Sequence, residues 1–295
     1  MNVAIVGAGK VGSVLGKILA TRGAKIVAVV SRTNASAARA GKYLRCRNVS
    51  TSLAAIPPKT DLVLIATPHS AVEEVAYKLT AIAHLEFKRL SVCHASGTLT
   101  ADALVPLAKK GASVFSFHPL QTFPRDFGPA EILPTVRGIY YGVDGSKKGI
   151  AVAGVLAKKL GGKVLVVKPE MRKFYHAACV VASNHLTTML WILEQMFGAL
   201  KTNEKKFFPV FEPIMQAALR NAARTSPAKS LSGPIARGGV ETVAGHFESV
   251  KKFAPELVPY FAALSAETTR LAEAKGSIEK DRAEKLFNLI RSITN

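Results

Sequence analysis

Along the first 168 residues, short apolar runs alternate with amphipathic stretches; after that the alternation stops. Runs rich in β-branched residues occur at 3–9, 25–31, 61–68, 89–97, 112–119, 137–145 and 163–169. Their near-continuous apolarity predicts strands buried on both faces of a parallel sheet. Between them lie helical patterns at 11–23, 35–44, 71–84, 101–111 and 147–161. Right-handed crossovers through such helices give an α/β fold with a doubly wound Rossmann sheet. From Pro169 the pattern is one long helical stretch to Leu200, with further helices near 204–224, 240–250, 254–275 and 277–293. The expected organisation is a dinucleotide-binding domain over 1–167 and an all-α substrate and dimerisation domain over 168–295.

The first predicted strand runs straight into Gly7-Ala8-Gly9-Lys10-Val11-Gly12. A GxGxxG sequence carries weight only between a strand and a helix, as here. Gly7 permits the tight turn, Gly9 lets a pyrophosphate approach the backbone, and Gly12 lets the helix pack on the strand. The helix start then offers unpaired N–H groups, including those at Lys10 and Val11, to the phosphates. At the end of the second strand, NAD-binding folds place an acid for the ribose 2′-hydroxyl. This chain has Ser31-Arg32-Thr33 instead. An arginine flanked by hydroxyls suits a 2′-phosphate, so NADP is the expected cofactor. Thr67-Pro68 closes a further strand and is expected against the same cofactor.

Two strand ends carry polar residues suited to proton handling: Cys93 to Thr98 and Ser116 to Phe123. Histidine can move a proton near neutral pH, which makes His118 the first candidate catalytic residue, with Ser96 orienting the substrate. A hydrogen-bonded structural histidine is the competing reading of His118, and for His94 it is the preferred one. On the long helix, at 100° per residue, His176 and Asn184 differ by about 80° and Lys173 and Asn184 by about 20°. Polar groups on an otherwise apolar helix need partners, as a site would provide. His176 and Asn184 are therefore candidate catalytic groups and Lys173 a substrate contact. In the loop Ser232 to Gly239, Arg237 among glycines is a further candidate for an anionic substrate; an ordinary interhelical loop explains the same residues.

Charge alters little. The 40 Lys and Arg against 20 Asp and Glu give a net charge of +20, but the basic residues are scattered in doublets such as Lys109-Lys110, without a nucleic-acid-binding motif. Specific nucleic-acid binding is not expected; a basic surface that gathers anionic ligands is. Cys46, Cys93 and Cys179 have neither disulfide nor metal spacing, which points to a reducing cytoplasm and to no metal. No apolar stretch reaches the length of a membrane span, and the N-terminus reads as a strand and not a signal peptide. The long helix is apolar around much of its circumference, through Met189, Leu190, Trp191, Ile192 and Leu193, which predicts a homodimer through the helical domain.

With GAGKVG at 7–12, the segments HASGT (94–98), FHPLQTF (117–123), YHAACVVASN (175–184) and SGPIARGG (232–239) carry a family resemblance. The chain resembles NADP-dependent oxidoreductases in which a Rossmann-like domain precedes a helical domain of unknown function. More distantly it is similar to ketopantoate reductase, pyrroline-carboxylate reductase, prephenate dehydrogenase and 6-phosphogluconate dehydrogenase. The resemblance implies a 6-phosphogluconate-dehydrogenase-like arrangement of the C-terminal domain. It also implies a catalytic role for His118 in a His-Pro motif and a substrate-contacting Ser96. If Asn184 matches the helix asparagine of ketopantoate reductase, His176 falls near that family's lysine. The combined expectation is hydride transfer to or from a small anionic substrate. A dinucleotide-binding sensor without turnover is the rival reading.

Overall fold

A computed structural model describes residues 1–294. The first unit, Met1–Ser183, is built on a six-stranded sheet of β1 (Asn2–Val6), β2 (Lys25–Val30), β3 (Val49–Ser50), β4 (Leu62–Ile65), β5 (Ser91–His94) and β6 (Ser113–Ser116). The order is β3-β2-β1-β4-β5-β6, and every paired neighbour is parallel. This is the doubly wound order in which the chain reverses direction at β1, leaving a crevice at the strands' carboxyl ends. Helices α1 (Lys10–Thr21), α2 (Asn34–Leu44), α3 (Val72–Thr80) and α4 (Val105–Lys109) make the crossovers. Two apolar clusters sandwich the sheet. One gathers Ile5, Leu15, Val29 and Phe115, and the other Val6, Ile65, Ala76 and Val92, consistent with period-two alternation along buried strands.

The runs at 137–145 and 163–169 do not extend this sheet. With β7 (His118–Pro119), they form a second, three-stranded sheet as β8 (Tyr140–Val143) and β9 (Lys163–Val166), in the order β7-β8-β9. Here β7 and β8 are antiparallel. The chain turns aside at Phe117, whose ring stacks on Tyr141 at 4.3 Å. An isolated β-bridge between Phe115 and Gly145 and hydrogen bonds between Ser116 and Asp144 link the two sheets. Helices α5 (Pro129–Ile132) and α6 (Lys147–Lys159) accompany the second sheet, and α7 (Arg172–Val180) ends the unit.

The first unit thus runs past residue 167, to Ser183. The reason is local: the opening turns of α7 send Arg172 and Tyr175 back onto the strand ends. A single π-helical stretch, Val181–His185, follows α7.

The second unit, Asn184–Asn295, is helical in its described residues: α8 (Leu186–Ala199), α9 (Phe207–Arg224), α10 (Pro227–Ser230), α11 (Val240–Phe253), α12 (Val258–Lys275) and α13 (Lys280–Thr294). Its core is small and centres on Val243, Phe247, Ala272 and Leu286. No described helix is long and apolar enough to cross a membrane.

Candidate functional site

The glycine turn has the shape of a phosphate cradle. Gly7 has φ +101°, and a Cβ there would lie 2.5 Å from the Ala66 carbonyl carbon, so neither backbone nor space admits a side chain. A Cβ at Gly12 would lie 2.3 Å from the Gly7 oxygen, which fixes the close packing of α1 on β1. At Gly9 nothing lies within 4 Å of the would-be Cβ. Unlike Gly7 and Gly12, Gly9 is thus not required by the protein's own packing. The helix ladder starts with the Ser13 N–H on the Gly9 carbonyl at 2.9 Å, leaving the earlier N–H groups of α1, Lys10 and Val11 among them, without intrahelical partners. The Val11 side chain packs on the core, while the Lys10 ammonium donates to the carbonyls of Arg125 and Phe127.

Thr67, just past β4, carries a buried hydroxyl with no hydrogen-bond partner. A polar atom so placed costs free energy unless something else meets it. Pro68 caps the short helical turn that begins at His69, which is exposed. At the end of β2, Ser31 is spent through its backbone on the Ser50 carbonyl at 3.0 Å, leaving its hydroxyl. Arg32 is exposed, with no ion pair or hydrogen bond among the described residues. Thr33 caps α2 by accepting the Ser36 N–H at 3.2 Å, and its own O–H remains available. Glycine turn, orphaned hydroxyl and free arginine together fit a phosphorylated dinucleotide.

At the same edge, two residues past the end of β6, His118 opens β7. Its Nδ1 lies 2.9 Å from the Tyr175 hydroxyl. Its other face meets Gly97, where a Cβ would sit 2.9 Å from Nε2 and 2.3 Å from the His176 ring. The two histidine rings are 5.9 Å apart. Tyr175 reaches His118 only because position 142 is glycine: a Cβ there would lie 2.2 Å from the tyrosine oxygen. Burial lowers the His118 pKa to about 4, helped by the positive Arg172 and by His176 and His94. Burial also raises that of Tyr175, so the phenol keeps its proton. Near neutral pH His118 is therefore an uncharged imidazole, one nitrogen tied to Tyr175 and the other facing Gly97 and His176.

The anchor beneath is a buried ion pair that the sequence did not announce. Arg172 and Asp144 are 1% and 2% exposed. Arg172 Nη1 approaches Asp144 Oδ2 at 3.3 Å without hydrogen-bond alignment, so the attraction is Coulombic; Nη2 donates to the Ser96 carbonyl at 2.9 Å. Asp144 also accepts from the Ser116 hydroxyl and the Ala101 N–H, each at 2.6 Å. Charges removed from water need such compensation. The network ties the ends of β5, β6 and β8 to the first turn of α7. Burial lowers the Arg172 pKa, and Asp144 opposes that shift. The Arg172 guanidinium also lies over the Tyr175 ring, 5.2 Å from its centroid.

Ser96 lies in this neighbourhood, beside Gly97. Its hydroxyl accepts the Leu99 N–H at 3.3 Å and sits 3.3 Å from the Thr98 hydroxyl. His94 is structural: its Nδ1 accepts from the Ser96 N–H, which leaves Nε2–H for the Thr100 carbonyl at 2.9 Å. Lys173 is exposed on α7. Asn184 opens the second unit inside the π-helical stretch Val181–His185. Arg237 is exposed in the second unit, and Gly238 beside it ends a short helical turn with φ +68°. The structure groups His118, His176 and Ser96. Arg172, Asp144 and Tyr175 were missed; the one available signal was an Asp closing an otherwise apolar strand, in YYGVDG.

Two family models cover most of the chain: a Rossmann-like domain over residues 1–119, and a domain of unknown function, DUF2520, over 139–268. The chain is a Rossmann-like domain followed by a DUF2520 domain. His118 falls in the first match, and Asp144, Arg172, Tyr175 and His176 in the DUF2520 match, so the cluster draws on both. No curated protein matches the chain. Among solved structures, a Bacteroides fragilis protein provisionally named an NADP oxidoreductase superposes with a TM-score of 0.70 at 21% identity, over 91% of this chain and 98% of that one. Pyrroline-5-carboxylate reductase from Coxiella burnetii gives 0.60 at 16%, over 97% and 98%. Prephenate dehydrogenase from Aquifex aeolicus, solved with hydroxyphenyl propionate and NAD+, gives 0.55 at 19%, over 92% and 98%. At these identities the likeness is one of fold.

Proposed function

We propose that the protein is an NADP-dependent oxidoreductase that transfers a hydride to or from a small anionic substrate. The observation that carries this reading is a coincidence at one sheet edge. The cradle at Gly7–Gly12 and the partnerless Thr67 hydroxyl sit at the carboxyl ends of β1 and β4, and His118 opens β7 two residues past the end of β6, itself two strands from β4. At about 4.8 Å per strand, that is roughly 10 Å across the edge, within the span of one dinucleotide and its substrate. The structures named above that share the fold include proteins named as reductases and dehydrogenases, which supports the class.

The bound cofactor would supply or take the hydride. Gly9 and the first-turn N–H groups, Lys10 and Val11 included, would hold its pyrophosphate, and Thr67 with Pro68 would line its path. Ser31, Arg32 and Thr33 would take the 2′-phosphate. His118, uncharged, accepts the proton from a substrate hydroxyl or amine as the hydride leaves; in the reverse direction the imidazolium returns it. Tyr175 fixes the ring, and His176 and Ser96 line the same pocket. Lys173 is the proposed contact for the substrate's negative charge. Exposed apolar side chains on α8 and α9 support a homodimer through the helical unit, and the free cysteines fit a cytoplasmic setting.

The test is calorimetry with NADPH and NADH, followed by turnover assays on keto acids and imines. NADPH should bind at least about tenfold more tightly, given the roughly 1.5–3 kcal/mol of a charged hydrogen-bonded contact. Wild-type turnover in both His118→Ala and His176→Ala would refute the assignment. Tight NADPH binding without turnover on any substrate would favour the sensor.

A further inference from the structure

The opposite rim of the first unit, where the strands begin, holds a groove of about 650 Å³. That volume falls in the usual range for small-molecule sites. It is lined by Lys25 at the start of β2, Arg45 and Arg47 in the turn after α2, and Lys59 before β4. None of these four makes an ion pair or side-chain hydrogen bond among the described residues. No Asp or Glu lines the groove. Asp61, which accepts the Asn2 N–H, is already paired with Arg89.

The groove is built rather than incidental. Asn48 donates to the carbonyls of both Val27 and Ala55, and Asn2 donates to the Lys59 carbonyl. These bonds pin the segments that carry the cations. Arg45 holds φ +55°, a left-handed conformation that an arginine adopts at a cost and that glycine or asparagine would adopt more cheaply. The Arg45 charge suits the negative end of α2, which alone could explain its presence. Lys25, Arg47 and Lys59 have no such excuse. Four like charges around one concavity repel one another, and an anion between them would remove that repulsion. Below the cations the wall turns apolar through Ile26, Leu44 and Pro57.

We propose that this groove is a second ligand site, for a small organic polyphosphate. The four cations take the phosphate groups, and the apolar strip takes the organic body. The site lies at the rim opposite the dinucleotide cradle, so both can be filled at once.

ATP is the probe. The full chain, saturated with NADPH so that the cradle is occupied, is titrated with ATP by calorimetry in buffers of rising salt. Binding in the micromolar range is expected, weakening as salt rises. Arg45→Asn with Arg47→Gln should weaken it at least tenfold, asparagine being chosen because it tolerates the left-handed backbone. Lys25→Gln with Lys59→Gln should do the same by an independent route. Lys109→Gln with Lys110→Gln at the end of α4, and Lys147→Gln with Lys148→Gln at the start of α6, should leave ATP affinity unchanged. Loss in these controls equal to that in the groove variants would reduce the effect to diffuse surface charge and overturn the proposal, as would no ATP binding at millimolar concentration. Tripolyphosphate binding as tightly as ATP would remove the role of the apolar strip and so refute the organic body.

Discussion

The two units of this chain solve the problem of burial differently. In the first, both faces of the sheet are covered, and even its charged anchor, Arg172 with Asp144, is almost wholly out of solvent. In the second, α9 has no buried residue; Ile214 and Leu219 are 68% and 62% exposed, and Trp191 of α8 stands open as well. Single exposed apolar residues are ordinary, but several on two consecutive helices make a surface that seeks cover. The first unit therefore holds its polar cluster with internal contacts, whereas the second leaves an apolar surface open, on which the proposed dimer would form. Variants in the first should change rate, affinity or stability at constant mass; variants in the second should change mass.

The largest effect expected in the first unit is on rate. His118→Ala should slow turnover by about 10²–10⁴-fold with NADPH affinity little changed, as seen by steady-state kinetics beside calorimetry. Arg172→Met comes next. It strands Asp144 in a dry site and should lower unfolding stability by about 3–5 kcal/mol in urea titrations. A loss below about 1 kcal/mol would mean that water reaches the pair. In the second unit, Ile214→Glu with Leu219→Glu should convert a dimer to a monomer by light scattering, with the first unit's NADPH binding retained. A monomeric wild type at micromolar concentration would break the comparison outright.

Smaller effects sharpen the picture. Arg32→Ala should erase the roughly tenfold preference for NADPH over NADH and leave stability untouched. The pH dependence has a definite sign. Folded His118 takes a proton only near pH 4, whereas the unfolded chain takes it near the usual 6.5. Between those values the unfolded state binds more protons, so this stabilisation is complete above pH 6.5 and is lost as pH falls toward 4. His94, also shifted down by burial, adds in the same direction. Melting temperatures measured across that window should fall on acidification, and less so in His118→Gln.

Much of this was legible in the sequence because it obeyed periodic rules. The strand–glycine–helix junction at Val6 to Gly12 announced the cradle, and the absence of an acid near Arg32 bore on the cofactor. His118 stood out because it ends an apolar run before a proline. The partition of strands into two sheets was not legible: the runs at 137–145 and 163–169 have the same apolar character as those of the main sheet, and only the turn at Phe117 and the stack on Tyr141 separate them. The anchor was hidden for a related reason. Asp144 and Arg172 are 28 residues apart, and in a chain with 40 basic residues one arginine at a helix start looks like any other. Burial, which gives the pair its meaning, is a tertiary property.

Gly97 and Gly142 give the cluster a vulnerability that a catalogue of its polar groups would overlook. At each, the room that one hydrogen leaves is taken by a neighbouring ring or hydroxyl: His176 and His118 at one, Tyr175 at the other. A single methyl group is therefore the smallest change that could dismantle the site. Alanine at 142 would push Tyr175 off His118, and alanine at 97 would drive the histidines apart, with no charge altered and no reactive group removed. In a saturation-mutagenesis map these two positions would be as intolerant as His118 itself, although neither could ever touch a proton.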